Sequence, residues 1–360
     1  MKKMYIPLAI IVFVALSLAL FFLIPERQKF YTILIPASIV YFVLVFYFFS
    51  YFGLRGRQRR YHWGDVESGD NEREEKGDER KVNRTLRKFF DAAKDGDLRT
   101  VEELLGKGVD IESHDEGRGY TALIHAAEGG QIEMVRFLLE KGADVDGKGT
   151  ESGRTALMLA AWEGHTEVVR FLISKGAKVN MQRSDKVHAL YVAAQNNHPE
   201  TVKLLLESGA EIDLGGLKDN ATPLMIACQQ GHAKMVDLLV RRGANVNART
   251  ALDGYGYTPL VLAAEFGFLE IIKILIDAGA EINARNGELG HTALMVSAQN
   301  LHLEVVKYLL EKKADATIHT KDGASTVSYC PMVSKEEEKA KEIRKLLTEA
   351  SARKRKFRIS

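Results

Sequence analysis

Cysteine is nearly absent: two in 360 residues exclude a disulfide scaffold and any four-cysteine zinc module. Proline is scarce too, seven beside 30 glycines, which excludes collagenous and low-complexity chains. No excess of either charge is present. Fifty Lys and Arg stand against 48 Asp and Glu, a formal +2, so the chain is neither a globally basic nucleic-acid protein nor an acidic disordered one. That near-neutral total is a cancellation. Residues 1–84 hold 13 basic and 9 acidic side chains, residues 85–333 hold 27 and 34, and residues 334–360 hold 10 and 5.

Charge is missing locally as well. Met4 to Pro25 and Phe30 to Leu54 contain no charged residue, and about 20 apolar residues are enough to cross a hydrocarbon core of roughly 30 Å. The break between them, Pro25-Glu26-Arg27-Gln28-Lys29, is long enough to join two antiparallel helices and too short to recross a bilayer. The expectation is a transmembrane hairpin in residues 1–54, with spans at about 4–24 and 31–53. Lys2 and Lys3 precede the first span, and Arg55, Arg57, Arg59 and Arg60 follow the second. Basic flanks favour the cytoplasmic side, so both termini and everything after residue 54 are expected in the cytoplasm of an integral membrane protein. Tyr5, Tyr31, Tyr51 and Trp63 lie near the span ends, where aromatic belts sit. A cleaved signal peptide is the alternative for the first span, but the apolar run is too long and lacks a small-x-small site before Pro25. Residues 55–84 are charged and poor in apolar side chains, and read as a flexible linker. The arginines at 55, 57, 59 and 60 are placed to touch anionic lipid head groups.

Beyond the linker, pairs of small residues recur: Ala92-Ala93, Ala126-Ala127, Ala160-Ala161, Ala193-Ala194, Ala227-Cys228, Ala263-Ala264 and Ser297-Ala298. The steps are 34, 34, 33, 34, 36 and 34 residues, a period that means stacked supersecondary units. Thr-Pro/Ala-Leu opens a unit at Thr121, Thr155, Thr222, Thr258 and Thr292. Threonine caps free helix N–H groups, and proline fits the first turn. The small pair sits mid-helix where neighbouring units approach closely, so larger side chains would overpack. Runs such as Val168-Val169-Arg170-Phe171-Leu172-Ile173 give a second helix its buried stripe. Gly142, Gly176, Gly209, Gly243 and Gly279 end that helix, in the left-handed conformation open to glycine.

On these residues the chain resembles the ankyrin repeat family over 85–333. The fold class expected is an all-α repeat, a solenoid of about eight helix-turn-helix units. The first unit, from Thr85, and the last, at Ala324-Ser325-Thr326-Val327, are degenerate, as capping repeats are. The family's Thr-Pro-Leu-His tetrapeptide keeps its histidine only at His125, and His188 replaces the opening threonine of the fourth unit. The resemblance implies protein binding on a concave face built from turn tips and inner-helix ends. It maps the contact positions onto Arg118, Tyr120, Arg154, Trp162, Glu163, Gln195, Asn196, Gln229, Gln230, Tyr255, Tyr257, Glu265, Phe266 and His291. Tyr255, Tyr257 and Phe266 form the expected best cluster, because a two-residue insertion lengthens that tip.

Signals of other chemistry dissolve on inspection. His165, His198, His232 and His302 fall one per unit, with Phe268 in the gap. Stacked helices lie about 8–10 Å apart while zinc–nitrogen bonds are about 2 Å, so one ion cannot gather them, and a structural histidine before each second helix is expected. Gly142 to Gly149 is one residue short of a phosphate-binding loop, but Gly142 already terminates a helix and no strand feeds this segment. No nucleophile, base and acid converge, and the two cysteines, three units apart, are expected to be buried thiols beyond disulfide reach. No catalytic activity, cofactor, metal or nucleic acid is expected. Residues 334–360 read as a C-terminal helix with acid in its first turn and an apolar stripe of Ile343, Leu346 and Leu347, ending in the basic run Arg353 to Arg358.

The function expected is therefore that of a membrane-anchored scaffold or adaptor holding a protein partner, locally basic to match the acidic repeats. The alternative makes the repeats the regulatory domain of an oligomeric pore or transporter, against which stands the lack of ionisable residues in the spans.

Overall fold

The computed structural model describes residues 71–359, apart from 218, 252–255, 288 and 333–335. The two candidate spans, the four arginines at 55–60 and Tyr255 lie outside the described residues. Among the described residues no helix is long and apolar enough to cross a membrane.

Each unit is a pair of short helices. The inner helices are α3 (Ala122–Glu128), α5 (Ala156–Glu163), α7 (Ala189–Gln195), α9 (Pro223–Gln230), α11 (Pro259–Glu265) and α13 (Ala293–Gln299). Their outer partners are α4 (Ile132–Glu140), α6 (Thr166–Ser174), α8 (Pro199–Glu207), α10 (Ala233–Arg241), α12 (Leu269–Asp277) and α14 (Leu303–Glu311). Inner helices pack on inner helices of the next unit, and outer on outer, giving two layers with one continuous core between them. The paired small residues are all buried in that core. At these positions a larger side chain would push adjacent inner helices apart.

The start of each inner helix is capped as its sequence dictates. Thr121, Thr155, Thr222, Thr258 and Thr292 each accept a hydrogen bond from the backbone N–H three residues on, at 3.3–3.4 Å. His188 offers no such cap; its ring instead donates from Nε2 to the Leu214 carbonyl at 2.9 Å. The glycines that close the outer helices have φ between 87° and 98°.

Histidines 165, 198, 232 and 302 stand at the N-termini of the outer helices. Each donates from Nε2 to a backbone carbonyl of the preceding unit: Glu128, Trp162, Gln195 and Glu265, at 2.8–3.0 Å. The ring of His198 lies over Gly164, where a Cβ would come within 2.4 Å of Nδ1, so only glycine fits beneath it. These rings are interlocks between units. Phe268 fills the same place over Gly231 without a donor.

The ends of the array depart from the expectation. Helix α1 runs from Asn71 to Asp95, so the stretch read as flexible linker is helical from residue 71, and Thr85 lies inside a helix instead of opening one. Glu, Lys and Arg are good helix formers, and the helix continues without a break into Phe89, Phe90, Ala92 and Ala93, all buried. Helix α2 (Leu98–Gly106) completes this unit. At the other end Ser325 caps only a 3₁₀ turn, Thr326–Tyr329. Helix α15 (Glu337–Ile359) then packs over α14 and this turn through Ala340, Ile343 and Leu347. The basic run is part of α15 and not a trailing tail: Ser351 Oγ donates to the Ala316 carbonyl at 3.1 Å, and Lys354 pairs with Asp315 at 2.5 Å. Cys228 and Cys330 are buried and free, and burial pushes the Cys228 thiol far up.

Candidate partner-binding surface

Between one outer helix and the next inner helix the chain turns through a tip. Isolated antiparallel bridges, Gly216 with Ala221, Asn286 with His291 and His319 with Ser325, pinch three of these tips. Neighbouring tips are stitched by backbone bonds, Thr150 N–H to the Gly119 carbonyl at 3.0 Å, Ala251 to Asp219 at 2.6 Å and Lys321 to Leu289 at 3.1 Å. A second stitch is made by side chains one period apart. Oxygens of Glu112, Asp146, Asn180, Asp213, Asn247 and Asn283 accept the backbone N–H of Asp144, Lys178, Glu211, Asn245, Glu281 and Asp315, at 2.8–3.0 Å. The six acceptors share one phase of the repeat. Their signal in the sequence is an Asp, Asn or Glu four residues after the glycine that closes each outer helix.

Tip and inner-helix end face each other within a unit. Arg118, on a tip, grips Glu128 at the end of α3 with two hydrogen bonds of 2.5 and 2.9 Å, and its guanidinium lies 4.4 Å from the Tyr120 ring centre. Lys94 reaches the same carboxylate at 3.1 Å. Burial works to raise the Glu128 carboxyl, but the Arg118 and Lys94 bonds outweigh it and hold it below the usual range. Beside it Asp115 bonds His125 Nε2 at 2.7 Å and takes three tip N–H groups. Burial keeps the His125 ring below its ordinary value against the pull of Asp115, which leaves a neutral imidazole donating to a carboxylate. Glu128, Asp115 and Lys94 were not among the sequence-predicted positions.

The predicted contact positions sort by exposure. Arg118, Glu163, Gln229, Gln230 and Phe266 are exposed. Arg154, Trp162, Gln195, Asn196, Tyr257, Glu265 and His291 are half-buried and do structural work. Arg154 donates to the Tyr120 hydroxyl at 2.8 Å and lies 5.5 Å from the Trp162 ring centre. Asn196 donates to the Val192 carbonyl at 3.0 Å, and the Gln195 and Glu265 carbonyls receive interlocking histidines. His291 Nε2 and the Tyr329 hydroxyl are 2.7 Å apart. Tyr120 is corrected outright. At 1 % exposure its ring belongs to the core, because Arg154, one unit later, closes over its hydroxyl. Of the expected cluster, Tyr255 lies outside the described residues, Tyr257 is half-buried, and Phe266 is exposed and stacks on Phe268 with centroids 5.9 Å apart.

Stacked helix pairs, capped inner helices and a stitched row of tips define a repeat solenoid. The chain belongs to the ankyrin repeat family: the family described as ankyrin repeats (3 copies) matches residues 89–183, 178–250 and 248–322. Among solved structures, the crystal structure of the human ASB11 ankyrin repeat domain is similar, with 29% sequence identity and a TM-score of 0.54. The match covers 62% of this chain and 97% of that one. No curated protein sequence matches the chain. Repeat domains of this family are typically non-catalytic modules for protein–protein interaction.

Proposed function

We propose that this chain is a membrane-anchored, non-catalytic scaffold that holds a protein partner on the tip side of its repeat array. The observation that carries the reading is the composition of that side, where Arg118, Glu163, Gln229, Gln230 and Phe266 are exposed in four of the five units from the second to the sixth. The outer helices carry instead the short-range ion pairs of a solvated face, such as Glu133 with Arg136, Glu167 with Arg170 and Glu200 with Lys203. The two charge-free stretches at 4–24 and 31–53 supply the anchor, and the basic flanks direct both termini to the cytoplasm.

Capture from detergent-solubilised membranes with the tagged full chain tests the binding side. A partner recovered by the wild type is expected to be lost with Glu163→Arg plus Gln230→Arg, and retained with Glu200→Arg on α8. Equal recovery by all three removes the tip side from the account. Protease added to the cytosolic face is expected to cut tags at both termini; a protected C-terminal tag overturns the orientation.

A further inference from the structure

Three consecutive tips carry an arginine each, Arg118, Arg154 and Arg183, and two of the three are neutralised inside their own units. Arg118 holds Glu128 through two hydrogen bonds. Arg183 is forked onto Asp185, with Nε donating at 2.6 Å and Nη2 completing the pair. Arg154 makes no ion pair among the described residues. Its Nη1 donates to the Tyr120 hydroxyl at 2.8 Å, and its Nε and Nη2 have no protein acceptor among those residues. The side chain is nonetheless half-buried, where a charge without a counter-charge is costly.

Two departures from the repeat meet at this place. Arg154 is the residue before the inner-helix cap, and the other five units put Tyr120, Val187, Ala221, Tyr257 and His291 there, none of them lysine or arginine. Trp162 follows the paired small residues, where the other five inner helices have Glu128, Gln195, Gln229, Glu265 and Gln299. The third unit has thus gained a guanidinium and, at the place from which Glu128 neutralises its own tip arginine, has an indole instead of a carboxylate. The two side chains touch: the guanidinium lies 5.5 Å from the Trp162 ring centre. With Arg183 they line a crevice between α5 and the next unit, floored by the buried side chains of Met158, Leu159, Val187 and Val192. Its open volume is about 10 Å³, room for about one water-sized group. Trp and Arg are also the commonest binding anchors.

We propose that this crevice seats a single aspartate or glutamate carboxylate of the partner, held by Arg154 with Trp162 beside it. The partner's acid supplies what Glu128 supplies in the unit before. Acids outnumber bases on tips two to four, so long-range attraction does not draw an acidic segment here, and one guanidinium sets the preference at contact range. Glu151 and Glu163, the acids nearest to Arg154 in sequence, are exposed and make no ion pair with it. This deepens the function proposed above and rests on it.

The test is selection of a phage-displayed library of randomised 16-residue peptides on the full chain in phospholipid nanodiscs, then a double-mutant cycle on the winning peptide. Winners are expected to hold one aspartate or glutamate at a fixed place beside an apolar residue. Arg154→Met should weaken the winner about tenfold or more, as should exchange of its acid for the amide, and the two losses should not add. Tyr120→Phe breaks the same internal hydrogen bond but keeps the guanidinium, so it should cost no more than about threefold. Equal losses in Tyr120→Phe and Arg154→Met would make Arg154 a structural residue and overturn the seat. Additive losses, winners without an acid, or no enrichment overturn it as well. Winners that lack the acid but are lost with Glu163→Arg plus Gln230→Arg leave the tip side as the binding face; winners insensitive to all of these variants remove both readings.

Discussion

At position 313 the chain carries lysine where five earlier outer helices end in glycine. The backbone there has φ +66°, against 87–98° at Gly142, Gly176, Gly209, Gly243 and Gly279. A Cβ at any of those glycines would meet nothing within 4 Å, so conformation alone selects the residue and space does not. Left-handed geometry costs a non-glycine residue about 1–2 kcal/mol, partly offset by the greater freedom glycine loses on folding. Lys313→Gly is therefore expected to stabilise the array by about 0.5–1 kcal/mol, read as a rise in the denaturant midpoint without change in slope. A fall would mean that the lysine side chain holds the last outer helix in a way its backbone does not reveal. Residues of this kind are legible from the chain alone, because a cap or a helix terminator acts on its own few neighbours. Tyr120 is not. Its burial is decided by Arg154, thirty-four positions later, whose guanidinium covers the hydroxyl. Leu217 is hidden for a related reason: nothing in Gly-Gly-Leu-Lys-Asp says that the leucine takes the left-handed turn and stays in water.

Among the elements, the tips are held less by their own turns than by the next unit. Asn247 shows this best. Its Oδ1 accepts the Glu281 N–H at 2.8 Å and its Nδ2 donates to the Gly279 carbonyl at 3.2 Å, tying tip six to tip seven in both directions. Each such bond is worth about 0.5–1.5 kcal/mol net. Asn247→Ala is expected to cost about 1–2 kcal/mol on that scale, with the loss seen in hydrogen exchange of residues 245–320 before that of residues 120–180. Uniform loss would show that the array melts as one body, with no weak joint there. The helices themselves follow from the sequence with little remainder. Paired small residues, threonine caps and apolar stripes specify the inner and outer layers, and the period counts the units. The ends are where this fails. Helix α1 extends far in front of its unit, through a segment whose polarity suits a tether, because polarity does not forbid a helix that is nucleated by buried Phe89 and Phe90.

At the scale of the whole array, residues 71–359 form an open stack, and an open stack needs both of its ends covered. Longer helices close it: α1 with its charged sequence at the start, and α15 at the finish with Ile343 and Leu347 turned inward. The basic run Arg353 to Arg358 belongs to this closing helix, and Lys354 is tied to Asp315. Between the closed ends, Arg118 and Arg154 stand on early tips and Arg249 and Arg285 on late ones, and the exposed Leu217 and Leu289 are on tips five and seven.

Site-specific photo-crosslinking on the full chain in membranes tests the central claim most directly. A photoreactive residue at Gln230, on the tip side, is expected to join the chain covalently to a discrete protein partner, and the same residue at Glu200, on the outer layer, to give no such product. A product from Glu200 and none from Gln230 would contradict the account.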